Sequence, residues 1–321
     1  MKAIQITRNG GPEVLDYGDT EEPVASENKV VIRLKAIGVN YIDTYQRSGL
    51  YKVPLPYVPG LEGAGEIASC GSAVRSLRVG DRVAFCGVPG SYAELVAVPA
   101  DRVVKLPEEV SFETAAALML QGMTAHYLAR STYPLSAKDT CLVHAGAGGV
   151  GLLLIQLAKL AGSRVITTVS SEEKAELATQ AGADDVILYT RSDFEKETRA
   201  RVPGGVQVVY DSVGKDTFSK SLGCLARRGY LVLFGQSSGV VPPFDPTVLN
   251  EKGSLFLTRP KLGDYIPDEA SLNERSREIF SLVSEGNLRV RIGERFPLGD
   301  AAEAHRSLEG RKTTGKVLLT V

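Results

Sequence analysis

The stretch His144-Ala145-Gly146-Ala147-Gly148-Gly149-Val150-Gly151 decides the fold. Its glycines Gly146, Gly148 and Gly151 follow G-x-G-x-x-G spacing, a pattern weak on its own. Here it lies between the strand-like run Thr140–His144 and an apolar stripe at Val150, Leu153, Leu154, Leu157, Ala158 and Ala161, which ends at Gly162. That spacing lies along one helix face. A strand, a glycine loop and a helix in this order read as the phosphate loop of a nucleotide-binding βα unit. Gly146 is expected to permit the tight turn, Gly148 to leave room for a pyrophosphate, and Gly151 to let helix and strand pack closely. Ala147, Gly149 and Val150 complete a run whose N–H groups, with the positive helix end, face the phosphates.

Downstream, strands are expected at Arg164–Val169, Asp185–Leu188, Val206–Tyr210, Tyr230–Phe234 and Ser254–Thr258, the earlier ones separated by helical patterns. This rhythm predicts right-handed crossovers and a parallel sheet covered on both faces. The second strand, Arg164–Val169, speaks to the dinucleotide. NAD-selective domains place an acid at its tip, but this chain has Ser170-Ser171, with Lys174 a turn later. Hydroxyls and an ammonium suit a 2′-phosphate that an acid would repel, so NADPH is the expected coenzyme. Glu172 and Glu173 cut against this, although their place in a first helical turn also suits the helix dipole.

Upstream the character differs. Val30–Ile37 and Glu94–Val98 are short strand patterns, Gly80–Phe85 reads as a turn entering a strand, and Pro54, Pro56, Pro59, Gly60, Gly63 and Gly65 break up the chain. They predict a β-rich, barrel-like domain. Ser111 is an expected helix N-cap ahead of Ala115–Leu120. A helix is expected over Leu272–Gly286, and the strand-like Lys316–Val321 suggests a return to the first domain. The expected division is 1–120, 121–260 and 261–321.

Composition narrows the function. With 37 Lys+Arg against 38 Asp+Glu, the net charge of −1 provides no general drive toward nucleic acid or anionic membrane. Cys70, Cys86, Cys141 and Cys224 form no C-x-x-C pair, which argues against a disulfide scaffold or cysteine zinc site. No apolar run of membrane-spanning length occurs, and residues 1–6 lack a signal-peptide pattern, so a cytoplasmic protein is expected. His126, His144 and His305 fall in no Ser-His-acid order and are read as structural. Cys141 is read as core.

The chain resembles the zinc-free quinone oxidoreductase branch, which includes the zeta-crystallins, of the medium-chain dehydrogenase/reductase superfamily. The resemblance rests on Ala36–Asp43 (AIGVNYID), Val58–Gly65 (VPGLEGAG), Val79–Val83 (VGDRV), the Ala145–Gly151 loop with Gln156 and Lys159, and Val209–Gly214 (VYDSVG). It implies an α/β fold with a GroES-like β-rich catalytic domain and a Rossmann doubly wound parallel sheet. Asn40 and Leu61 stand where zinc relatives place a cysteine and a histidine, so no catalytic metal is expected.

Further implications are residue by residue. Asn40 belongs near the nicotinamide, and Tyr45 and Tyr51 line the substrate cleft. Tyr51 matches the proposed proton donor of enoyl-thioester reductases. Thr124, Ser212, Phe234, Gly235, Gln236, Ser237 and Arg311 belong at the coenzyme. Ser170, Lys174 and Tyr189 belong around its 2′-phosphate. The implied activity is NADPH-dependent reduction of quinones or related activated carbonyls. The alternatives are an enone or enoyl-thioester reductase, or an NADPH-holding binding protein of zeta-crystallin type. Relatives are commonly homodimers, here expected through the edge strand Ser254–Thr258.

Overall fold

The structure, a computed structural model, describes all 321 residues. They form two compact units, one of Met1–Met123 with Tyr265–Val321, the other of Thr124–Asp264.

In the second unit six strands pair in parallel, in the order Asp185–Leu188, Arg164–Val169, Thr140–His144, Val206–Asp211, Leu225–Leu233, Phe256–Thr258. Their near-continuous apolar runs fit a sheet covered on both faces; from Arg164 to Val169 only the arginine is exposed. By chain position the order is 3-2-1-4-5-6, that of the dinucleotide-binding fold. Its direction reverses between Thr140–His144 and Val206–Asp211, and ligands bind at the carboxyl ends beside such a reversal. The Gly149–Leu160 helix leaves the first strand through the glycine loop, with Leu153, Leu154, Leu157 and Ala158 of the expected stripe buried.

Two strands differ from expectation because of backbone conformation. The fifth starts early, at Leu225, and turns through Arg228 at φ 59°, where the ladder with its neighbour shifts register. The sixth is shorter, Phe256–Thr258, and Ser254 ahead of it, at φ 57°, lies in the left-handed region rather than the extended one.

In the first unit the eleven-residue strand Lys29–Val39 is the hub. It pairs antiparallel with Glu62–Cys70, Leu95–Pro99 and the C-terminal Lys316–Thr320. The last of these is the expected return of the chain, with Val317 opposite Val39. Ile4, Ile32, Leu34, Ile37, Phe85 and Leu319 are among the core residues between these layers. The Ser111 hydroxyl accepts from Thr114 N at 3.1 Å, capping a helix that buries Ala115–Leu118. The expected Leu272–Gly286 helix runs Glu269–Ser284, started by Asp268, whose carboxylate accepts from Ser271 N at 2.8 Å.

Candidate functional site: a coenzyme cradle and a buried polar cluster

The glycine loop shows why each small residue is needed. A Cβ on Gly146 would fall 2.0 Å from Thr167 Oγ1, and one on Gly151 would fall 2.3 Å from the Ala145 carbonyl. The left-handed residue of the turn is Ala145, at φ 55°, rather than Gly146. This corrects the expected role of Gly146: it is required for close packing against Thr167, and an alanine carries the strained conformation. Gly148 is different. At φ −77° and ψ 170° its backbone suits any residue, and an added Cβ would meet only the Ala145 carbonyl, at 3.2 Å. That contact is tight but milder than those at Gly146 and Gly151, so close packing within the protein accounts for only part of the need for glycine here, and room for a group lying against the backbone accounts for the rest. The Gly149–Leu160 helix has no side-chain cap, which leaves its first-turn N–H groups to a ligand or solvent. A dinucleotide's diphosphate fits this cradle.

The neighbouring strand tips carry the other expected coenzyme residues. Ser171 caps the Glu172–Gln180 helix by accepting from Lys174 N at 3.4 Å. Tyr189 follows the Asp185–Leu188 strand and is 41% exposed. Past the switch point, Asp211 holds a tight turn: its carboxylate accepts from Val213 N, Gly214 N and Thr217 Oγ1 at 2.8, 3.0 and 2.7 Å. Ser212 sits in that turn, and its carbonyl accepts from Ser237 N at 3.1 Å. A Cβ on Gly235 would fall 2.6 Å from the same carbonyl, so Phe234-Gly235-Gln236-Ser237 packs directly on Ser212. Thr124 is buried in the Gln121–Tyr127 helix.

Behind the loop, His144 is structural, as expected. Nδ1 lies 2.8 Å from Thr168 Oγ1 and Nε2 3.0 Å from Ser221 Oγ, and Ser221 donates to Asp211 at 2.9 Å. Burial holds the imidazole below its usual pKa. This chain ties together the ends of the first, second and fourth strands of the sheet.

In the first unit Asn40 heads the short Tyr41–Arg47 helix and is 3% exposed. Its Oδ1 accepts from Lys316 Nζ at 2.8 Å and Gln121 Nε2 at 3.2 Å. Its Nδ2 donates to Glu62 Oε1 at 2.6 Å and more weakly to the Gly38 carbonyl at 3.4 Å. Glu62 also pairs with Lys316 and accepts from Leu120 N at 2.6 Å. Strand register explains the meeting, since Val317 lies opposite Val39 and sets Lys316 beside Asn40. Gly38 is required because a Cβ there would fall 2.2 Å from Glu62 Oε1. Lys316 has only donors, so it fixes which end of the Asn40 amide faces it. The amide is thereby occupied on both sides, and Asn40 serves to fix the start of a helix that carries Tyr45.

Tyr45 and Tyr51 lie edge to face with ring centroids 5.3 Å apart, and Tyr51 N donates to the Tyr45 carbonyl at 3.0 Å. Gly49, at φ 82°, makes the reversal that brings them together. Tyr51 is 36% exposed. Arg311, exposed and at φ 56°, lies in the turn before the C-terminal strand.

Sequence reasoning missed the network below Asn40. Asn40 N and Tyr92 Oη donate to Asp43 Oδ2 at 2.8 and 3.0 Å. Tyr92 Oη lies 3.0 Å from His305 Nε2, and His305 Nδ1 lies 3.0 Å from Arg47 Nη1. Arg47 also makes a bidentate pair with Glu309 at 3.0 and 2.7 Å. Arginine can only donate, so His305 Nδ1 accepts, Nε2 carries the proton, and Tyr92 is left to donate to Asp43. Burial, against those hydrogen bonds, pushes the Asp43 carboxyl up to about 7. Burial and the Arg47 charge push His305 down to about 3.

No three His, Cys, Asp or Glu side chains converge as a metal site, and all four cysteines are free thiols. No helix is long and apolar enough to cross a membrane.

Residues 26–108 match the alcohol dehydrogenase GroES-like domain, and residues 149–259 match the zinc-binding dehydrogenase family. Pseudomonas aeruginosa quinone oxidoreductase is 47% identical, the match covering 99% of each chain. A 2-haloacrylate reductase from a Burkholderia species is 39% identical, covering 99% of this chain and 98% of its own. The crystal structure of Escherichia coli quinone oxidoreductase complexed with NADPH superposes with a TM-score of 0.98 at 43% identity, over the full length of both chains. These full-length matches, in a chain with asparagine and leucine where zinc relatives carry ligands, mean that it belongs to the zinc-independent quinone oxidoreductase branch of the medium-chain dehydrogenase/reductase superfamily.

Proposed function

We propose that this protein is an NADPH-dependent quinone reductase. The observation that carries the reading is the glycine cradle at the start of the Gly149–Leu160 helix, whose first turn no side chain caps, in a chain 47% identical to a quinone oxidoreductase. Ala147, Gly149, Val150 and Gly151 present backbone N–H groups to the diphosphate, which lies against Gly148. Ser170, Ser171, Lys174 and Tyr189 hold the 2′-phosphate end, and Thr124, Ser212, Phe234–Ser237 and Arg311 complete the coenzyme contacts. Bound there, the dihydronicotinamide supplies a hydride. The Lys316–Glu62–Asn40 cluster fixes the helix bearing Tyr45, and Tyr45 and Tyr51 offer aromatic faces to a flat ring. The Tyr51 hydroxyl donates a hydrogen bond to the oxygen that gains charge as a quinone takes up hydride and a proton.

Fresh protein should oxidise NADPH with 1,4-benzoquinone and, supplied with NADP+, leave simple alcohols untouched; turnover confined to NADP+ with alcohols would refute the reading. A second reading, reduction of an activated C=C bond, is favoured by the 39% identity to a 2-haloacrylate reductase. Tyr51→Phe separates the two. An obligatory proton donor would cost about 10²–10⁴-fold in turnover with an enone, and quinone reduction would fall far less.

The same reading makes the protein a cytoplasmic homodimer. Phe256, on the sheet's edge strand, is 44% exposed and stacks on Tyr230 at 4.5 Å and 13°, leaving an edge suited to pairing with a second copy. Light scattering that gives a monomer mass would refute this part.

A further inference from the structure

The carboxylate of Glu172 is out of place at the tip of a strand that binds a phosphorylated coenzyme. It begins the Glu172–Gln180 helix, next to Ser171 and two positions before Lys174, where its charge repels a 2′-phosphate. The structure gives it a partner from the next strand tip: Arg191 Nη1 donates to Glu172 Oε1. Two further bonds align the same segments. Tyr189 N donates to the Val169 carbonyl at 3.2 Å, and Thr190 Oγ1 to the Ser170 carbonyl at 3.1 Å. Residues 189–191 therefore clasp 169–172, with the guanidinium at the outer end.

Stability does not explain the pair. The arginine and glutamate side chains are 67% and 62% exposed, and ion pairs so exposed contribute little to folding. Charge balance does. Counting Lys174 and Arg191 against Glu172 and Glu173, the tip is neutral with Arg191 and net negative without it. Glu172 engages one guanidinium nitrogen and no other protein group takes the rest, which leaves donors for an oxyanion.

We propose that Arg191 is a specificity residue for the phosphorylated coenzyme, cancelling Glu172 and turning its remaining donors to the 2′-phosphate. The proposal rests on the coenzyme reading above and adds a residue to it.

Calorimetric titration of NADPH, NADH, adenosine 2′,5′-bisphosphate and 5′-AMP into the wild type, Arg191→Gln, Glu172→Gln and the double variant tests it. Arg191→Gln should weaken NADPH and the bisphosphate about three- to tenfold while NADH and 5′-AMP stay within about twofold, and the difference should shrink at high salt. Glu172→Gln should tighten the phosphorylated ligands about two- to fivefold, with the double variant between the singles. If Arg191→Gln leaves the NADPH-to-NADH ratio unchanged, or weakens both coenzymes equally, Arg191 is only a surface charge or a brace for the loop. A wild type without preference for NADPH overturns the coenzyme reading itself, whereas a preference that survives Arg191→Gln overturns this proposal alone.

Discussion

Replacing Lys316 with methionine should be among the most damaging single changes in the first unit. The side chain is 1% exposed and pairs with Glu62, which is 0% exposed. Without the ammonium, a carboxylate stays buried with only Asn40 Nδ2 and Leu120 N, each at 2.6 Å, as donors. Breaking a buried pair in this way costs about 3–5 kcal/mol, and the two remaining donors put this case near the lower figure. In the double variant Lys316→Met/Glu62→Gln no charge is buried, and the new amide can accept from Leu120 N and donate to Asn40 once the Asn40 and Gln121 amides, freed of Lys316, turn over. Such a neutral pair should recover about 2 kcal/mol relative to the sum of the singles. Urea unfolding followed by circular dichroism on all four proteins closes the cycle. A Lys316→Met loss below about 1 kcal/mol, or strict additivity of the two changes, would refute a desolvated, mutually dependent pair.

Asp43 and His305 oppose each other in pH dependence. Folded Asp43 keeps its proton to about pH 7 against an unfolded value of 3.8, so it withdraws stability as pH rises through that window, by up to about 4 kcal/mol. Folded His305 stays neutral to about pH 3 against 6.5, so it withdraws stability as pH falls below 6.5. Asp43→Asn should flatten the loss toward pH 7 and steepen the acid limb, as measured by melting temperature across pH; an unchanged profile would mean that Asp43 is ionised throughout. Tyr92→Phe removes the hydroxyl between Asp43 and His305 and should cost about 1–3 kcal/mol by denaturant unfolding, with a neutral result contradicting the network. Gly148→Ala, pressing on the Ala145 carbonyl at 3.2 Å, should lower the melting temperature slightly and weaken NADPH binding strongly, whereas Gly146→Ala, facing Thr167 at 2.0 Å, should lower the melting temperature far more. Equal behaviour of the two would undo the distinction drawn between packing and ligand approach.

What was legible in the sequence is what depends on neighbours along the chain. The Thr140–His144, Arg164–Val169 and Asp185–Leu188 strands occur at their expected bounds, because apolar runs and flanking glycines are local signals. Ser111 behaves as the cap its type suggests. The strand at Lys316 was readable, but its charge was not: Lys316 meets Glu62 across 254 positions, and only the antiparallel register with Val39 brings them together. The same holds for Arg47, which reaches His305 across 258 positions. Nothing local to His305 marked its partners Tyr92 and Arg47. The tight turn was assigned to Gly146 because alanine carries no sign of the left-handed backbone that Ala145 adopts. Glu172 was visible as a difficulty, and its answer, Arg191, lay a strand away.

One measurement bears most directly on the central claim that a reduced pyridine nucleotide bound around Gly148 passes hydride to a quinone without metal. Protein exhaustively dialysed against a chelator is mixed with one equivalent of NADPH and then with 1,4-benzoquinone, and the dihydronicotinamide absorbance is followed with time. The account predicts complete consumption at a rate unchanged by the chelator and sharply lowered in Gly148→Ala. Absorbance that persists until a divalent metal is restored, or that decays equally fast in Gly148→Ala, would contradict it.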